Sequence, residues 1–85
     1  MRPGYGYALN RASCESLNAL PRRSRDRLLD FFRHLAENPF TTGDYRETDE
    51  RGLAVEVALV HGQFLVTWHT DHAVREVRIV GLEVV

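Results

Sequence analysis

The chain has 85 residues, 44% apolar and 27% charged, with a formal net charge of −1. A chain this short buries only about 60 to 65% of the surface it exposes when unfolded, so residues 1–85 are expected to form one domain without an interdomain catalytic cleft. No apolar run approaches the roughly 20 residues that span a bilayer, and the N-terminus lacks the apolar stretch of a signal peptide; a cytoplasmic protein with no membrane contact is expected.

Tyr5, Tyr7 and Leu9 alternate with small or polar residues, which predicts a first strand at about 5–9 on an edge of a later sheet. Asn10 or Ser13 can cap a short helix to about Leu20, with Leu17 and Leu20 on its inner side. Cys14 is the only cysteine, which excludes an intrachain disulfide and a multi-cysteine zinc site; it is expected to fill space on this helix. Pro21 suits the first turn of a second helix, where its missing N–H has no helical partner to lose. Leu28, Phe31, Phe32 and Leu35 then fall at i, i+3, i+4 and i+7 as one apolar stripe. Asn38-Pro39 ends that helix, because the residue before proline is pushed out of the helical region. Residues 40–52 are polar and rich in turn formers, with room for a brief extra edge strand.

Three strand-like runs follow: Leu53 to Val60, Phe64 to His69 and Val74 to Val80. Their joints, His61-Gly62-Gln63 and Thr70-Asp71-His72-Ala73, are short enough that consecutive strands must return as antiparallel hairpins. Within the sheet, Leu53, Val55, Val57 and Leu59 share one face, and Ala54, Glu56, Ala58 and Val60 the other. Phe64, Val66 and Trp68 also share a face, and Trp68 reads as packing rather than as a base-stacking platform. The helices cover one side, leaving a partly apolar second side that a partner can cover. The fold class expected is α+β: a short N-terminal strand, a two-helix hairpin, then an antiparallel meander of three to four strands.

All eleven cationic residues are arginine. Residues 1–40 hold seven arginines against four carboxylates and residues 41–85 four against eight, so the halves carry +3 and −4. A strongly basic nucleic-acid footprint is missing from the totals, while the polarity can orient a partner.

The order of elements resembles the RelE/ParE superfamily of toxins from bacterial type II toxin–antitoxin systems. Local features agree: Leu20-Pro21 opens an arginine-rich second helix, Glu37-Asn38-Pro39 closes it, Gly43-Asp44-Tyr45 is polar, and Gly62 precedes a central apolar strand. The likeness covers about residues 5–82, and the stretch from Trp68 to Val77 looks like that of small plasmid-stabilisation toxin-like proteins. It implies a toxin neutralised by a cognate antitoxin, acting on the translating ribosome by messenger-RNA cleavage as an mRNA interferase, or on gyrase. A non-catalytic interaction module on the same fold is the alternative.

Against the ribonuclease pattern, Gly62-Gln63-Phe64 stands where Gly-Tyr-Arg usually enters the central strand. Val55 and Val57 flank Glu56 where basic residues are expected, and Gly81 to Val85 lacks the arginine, histidine or tyrosine typical of the active tail. If the chain is catalytic, the cluster of His69, Asp71, His72, Arg75 and Glu76 around the last hairpin is the candidate region, with His72 as proton shuttle and Arg75, Arg78 and, from the loop before Leu53, Arg51 as phosphate contacts. Arg22 and Arg23, in the densest basic cluster, are candidate contacts to RNA phosphate or to an acidic antitoxin segment. The structural alternative for the hairpin is a polar turn capped by the Asp71 side chain, with Arg75 and Glu76 as solvated ends of an edge strand. For the helix it is a solvated face. His69 and His72 lie across a turn without a third ligand at diagnostic spacing, so neither a metal nor a cofactor is expected. Edge strands can pair between copies, which makes a homodimer a further expectation.

Overall fold

The computed structural model describes residues 4–85; residues 1–3, part of the expected 1–85 domain, lie outside it. In chain order the elements are β1 (Gly6–Leu9), α1 (Arg11–Asn18), α2 (Arg22–Glu37), β2 (Tyr45–Thr48), β3 (Ala54–Val60), β4 (Phe64–Asp71) and β5 (Glu76–Val84). They form one five-stranded sheet in the order β1-β5-β4-β3-β2. Strands β2 to β5 run as an antiparallel meander, and β1 joins its β5 edge in parallel. The expected α+β class holds, and the extra edge strand within 40–52 is β2.

Asn10 starts α1, its side-chain oxygen accepting from the Ser13 N–H at 2.9 Å. The helix turns Ser13 and Leu17, four residues apart, toward the sheet. Cys14, about 100° further round the helix, is exposed and does not fill core space, which corrects the sequence expectation. In α2, Pro21 occupies the cap position rather than the first turn. Leu28, Phe32 and Leu35 are buried, and Phe31 packs partly buried beside them. Phe32 meets Tyr7 of β1 and Phe31 meets Trp68 of β4, both at ring-centroid distances of 5.8 Å. The core beneath the helices is completed by Ala58, Val60, Phe64, Val66, Val77, Ile79 and Leu82. Each large side chain buried there contributes roughly 1.5–3 kcal/mol.

The turns account for the strand boundaries. His61 and Gly62 take φ of 54° and 65°, the left-handed pair that reverses a twisted strand in the fewest residues. At the next turn, Asp71 Oδ1 accepts from the N–H groups of Ala73 and Val74 at 3.1 and 3.4 Å, the side-chain cap expected of it. Arg75 adopts φ 55° and its carbonyl accepts from Gly6 N–H. Val74 and Arg75 therefore belong to the turn, and β5 starts at Glu76 instead. Nor is β5 an edge strand, because β1 and β4 flank it. A register irregularity at Thr67/Trp68, with Thr67 opposite Gly81 and Trp68 opposite Ile79, leaves Val80 as an extra residue and lets β5 run on to Val84.

Strand β2 is held by a compact polar clasp. Glu56, with its side chain 17% exposed, accepts from the Gly43 N–H at 2.9 Å and from Arg46 Nε at 2.7 Å. Asp44 bonds in both directions to β3, its N–H to the Val57 carbonyl and its carboxylate from the Leu59 N–H, each at 2.8 Å. Gly43 lies so close to β3 that an added Cβ would press on the Val57 carbonyl and come 2.8 Å from the Val57 nitrogen. Gly43→Ala should therefore cost about 2–3 kcal/mol in urea unfolding. Gly6→Ala, with open space around the position, should stay within about 0.5 kcal/mol of wild type.

The clasp also makes stability depend on acidity. The Gly43 N–H, and then Arg46, hold the Glu56 carboxyl below its ordinary value of 4.5. A carboxyl depressed in the folded state stabilises above its unfolded pKa, and the contribution is lost as pH falls through the folded one. Glu56→Gln should therefore destabilise by about 1 kcal/mol at neutral pH. The gap from wild type should close between pH 4.5 and the lower folded value, as followed by thermal unfolding across pH.

Candidate functional site

Side chains alternate along a strand, so the burial of Trp68 against α2 directs His69 to the uncovered face. Cross-strand register places Arg78 opposite His69, and Glu76 opposite Asp71, on that same face. Glu47 lies opposite Val55 and Tyr45 opposite Val57. Leu65 sits between Leu59 and Glu83. The strand-by-strand grouping of Val55, Val57 and Leu59 is thus correct, and theirs is the face away from the helices. Val55 and Val57 are nevertheless only 3% and 1% exposed: Val55 lies at the floor of the hollow walled by the β2–β3 turn, and Val57 lies between Tyr45 and Thr67 on the neighbouring strands.

That turn brings Arg51 over the sheet. Asp49 Oδ1 accepts from the N–H groups of Arg51 and Leu53 at 2.9 and 2.8 Å, winding the turn around one carboxylate. Those bonds, the Leu53 N–H first, hold the Asp49 carboxyl below the usual range. Arg51 lines three adjoining hollows. Two of them, of about 540 and 300 Å³, it shares with His69 and Arg78. The third, of about 590 Å³, lies against Glu47, Asp49, Glu50, Val55, Thr67 and Val80. Arg51 and Arg78, 27 residues apart in sequence, thus belong to one groove with a histidine beside them.

The remaining candidates are distributed differently. His72 sits at the rim of the groove, its Nδ1 hydrogen-bonded to Tyr5 Oη at 2.8 Å and its ring stacked on Phe40 at 4.8 Å and 14°. Arg75 lines a separate hollow with Tyr5, Glu37 and Phe40, so the hairpin does not gather His72, Arg75 and Arg78 around one point. Arg22 and Arg23 are exposed at the start of α2, in the helical layer behind the covered face, where Arg22 lies 3.9 Å from Asp26. They belong to a different surface from Arg51.

Carboxylates occupy the sheet-side cations. Arg46 pairs with Glu56 at 2.7 Å and Arg51 with Asp49 at 3.6 Å. Arg78 pairs with Glu76 at 3.0 Å and Asp71 at 3.7 Å. Among the described residues Glu47 and Glu50 have no ion-pair partner. Within the groove, two guanidinium groups therefore face five carboxylates. The arrangement offers an imidazole for proton transfer, but a phosphate entering it meets a net negative field. Among the described residues no three His, Cys, Asp or Glu side chains converge as a metal site requires, and no helix is long and apolar enough to cross a membrane.

His69 was legible from strand parity alone once Trp68 was placed in the core. The acids of β2 and its turn were not, since nothing in residues 40–52 reveals which β3 residue each one faces.

By sequence, no protein-family model and no curated protein matches the chain. By structure, it is similar to a chain of the toxin–antitoxin complex RelBE2 from Mycobacterium tuberculosis, at 19% identity and a TM-score of 0.72, covering 98% of this chain and all of that one. It is also similar to a chain of the archaeal RelE–RelB complex from Pyrococcus horikoshii, at 16% identity and a TM-score of 0.73, covering 96% of each. Over almost its whole length, then, the chain has the RelE-like fold that its sequence resembles.

Proposed function

We propose that this protein is the toxin component of a toxin–antitoxin pair and binds a cognate antitoxin protein. The observation that carries the reading is the near end-to-end overlap with chains of two toxin–antitoxin complexes, without large additions on either side. As a single cytoplasmic domain it would act on translation by cleaving messenger RNA on the ribosome. In that action Arg51 and Arg78 contact phosphate, and His69 or the rim residue His72 moves the proton. Their present pairing with carboxylates does not forbid this, because exposed ion pairs are worth only about 0–1 kcal/mol and can be exchanged.

A second reading has a specific observation in its favour. The groove holds more carboxylates than arginines, which suits a protein-binding module without phosphoryl chemistry better than it suits an RNA site. Tightly induced expression in a bacterial host, with messenger-RNA cleavage mapping, separates the two. The toxin reading expects growth arrest with codon-phased cleavage, lowered about 10²–10³-fold by Arg51→Ala with Arg78→Ala. Arrest without cleavage points to gyrase, and unimpaired growth by soluble, folded protein points to the binding module. Toxicity surviving His72→Ala with Arg75→Ala removes those two residues from the active set.

A further inference from the structure

The uncovered sheet face has two parts with different chemistry. At one end Tyr45 and Leu59 are 48% and 49% exposed and Leu65 is partly exposed beside them, a contiguous apolar strip on neighbouring strands. Glu83 borders that strip on β5. Toward the β2–β3 turn the floor changes to Val55, Thr67 and Val80, and the wall is formed by Glu47, Asp49 and Glu50. Leu59 and Val55 are four strand steps apart, so the face from the apolar strip to the acidic wall at the turn spans about 13 Å. Four extended residues, or about two and a half turns of helix, cover that distance.

The charges on this face are unbalanced in one direction. Arg51 and Arg78 are already engaged by Asp49, Asp71 and Glu76, whereas Glu47, Glu50 and Glu83 have no ion pair among the described residues. An RNA strand or an acidic peptide laid here would be repelled by those three carboxylates. A segment carrying cations would neutralise them, while its apolar side chains would remove Tyr45, Leu59 and Leu65 from water.

We propose that the uncovered sheet face is the docking surface for a basic amphipathic segment of a partner protein, seated with its apolar residues on Tyr45, Leu59 and Leu65 and its cations against Glu47, Glu50 and Glu83. The proposal rests on the antitoxin partnership above and names the chemistry of the contacting segment. Seating that segment carries its cations to the hollow that Glu47 and Glu50 share with Arg51, at the edge of the groove described above.

The test uses the full chain, isotope-labelled for NMR, with a synthetic Leu/Lys amphipathic peptide and its Leu/Glu counterpart as probes. The Leu/Lys peptide should shift the amide signals of Glu47, Val55, Leu59 and Thr67, and the Leu/Glu peptide should leave them unmoved. Binding should weaken at least about tenfold with Glu47→Arg plus Glu50→Arg, and again as salt is raised. Leu59→Ser, at an exposed position that leaves the core intact, should weaken it independently of salt. The proposal is overturned if the Leu/Lys peptide fails to bind or shifts the helical layer instead, or if the Leu/Glu peptide takes this face. Growth arrest on expression reads the toxin assignment separately, so arrest with no peptide on this face defeats only the docking proposal. Peptide on this face without arrest defeats only the toxin assignment.

Discussion

Packing of Phe31 against Trp68 decides which side of the sheet is covered, because every residue one step from Trp68 along β4 must then face the other way. His69 and Asp71 are placed by that parity, and Arg78 and Glu76 follow through register with β5. A one-residue slip would put His69 into the core and Trp68 into water. The loss of the buried indole alone, on the order of 3–5 kcal/mol, makes such a slip untenable in a molecule this small. The open face is a consequence of the core, and its polar residues need no organising force of their own.

The same parity explains why Glu56 differs from the other sheet carboxylates. Glu56 lies opposite Trp68, on the covered side of β3, beyond the reach of the helices. There a carboxylate requires partners, and it receives the Gly43 N–H and the Arg46 guanidinium. The resulting clasp fixes β2, whose four residues are all exposed and bury too little to stay in place by themselves. Holding β2 in turn positions Tyr45 and Glu47 on the open face and brings Arg51 across it. A single partly buried glutamate thereby couples the inner side of the sheet to the composition of the outer one.

The sequence made the framework legible because its signals are local and redundant. The apolar stripe of α2, the Asn38-Pro39 stop and the short joint at His61-Gly62 each depend on a few adjacent residues and appear in the structure where expected, while the joint expected at Thr70 to Ala73 is shifted to residues 72–75, with Thr70 and Asp71 in β4. Readings that required long-range register fared differently. Cysteine's usual burial points Cys14 inward, but Ser13 takes the inward position because Leu17 sets the helix phase. Val74 and Arg75 looked like strand by composition, while the Asp71 cap drew both into the turn. Arg51 and Arg78 each stand out in the sequence, but their meeting in one groove depends on how the β2–β3 turn folds over the sheet.

Charge pairing gives the open face its character more than the number of arginines does. Counting residues 41–85 yields four arginines, enough in principle for a phosphate site. In the fold Arg46, Arg51 and Arg78 lie within 4 Å of carboxylates. An exposed pair attracts by only about 1 kcal/mol in water, so no single pairing disables a cation. The sum behaves differently: after pairing, the unmatched groups on this face are Glu47, Glu50 and Glu83, and a polyanion meets all three at once. A partner presenting cations gains from each of them and also frees no buried charge, since the existing pairs stay at the surface. On this face the unmatched carboxylates thus favour a partner that presents cations, with the exposed apolar strip of Tyr45, Leu59 and Leu65 supplying affinity that surface charge alone does not.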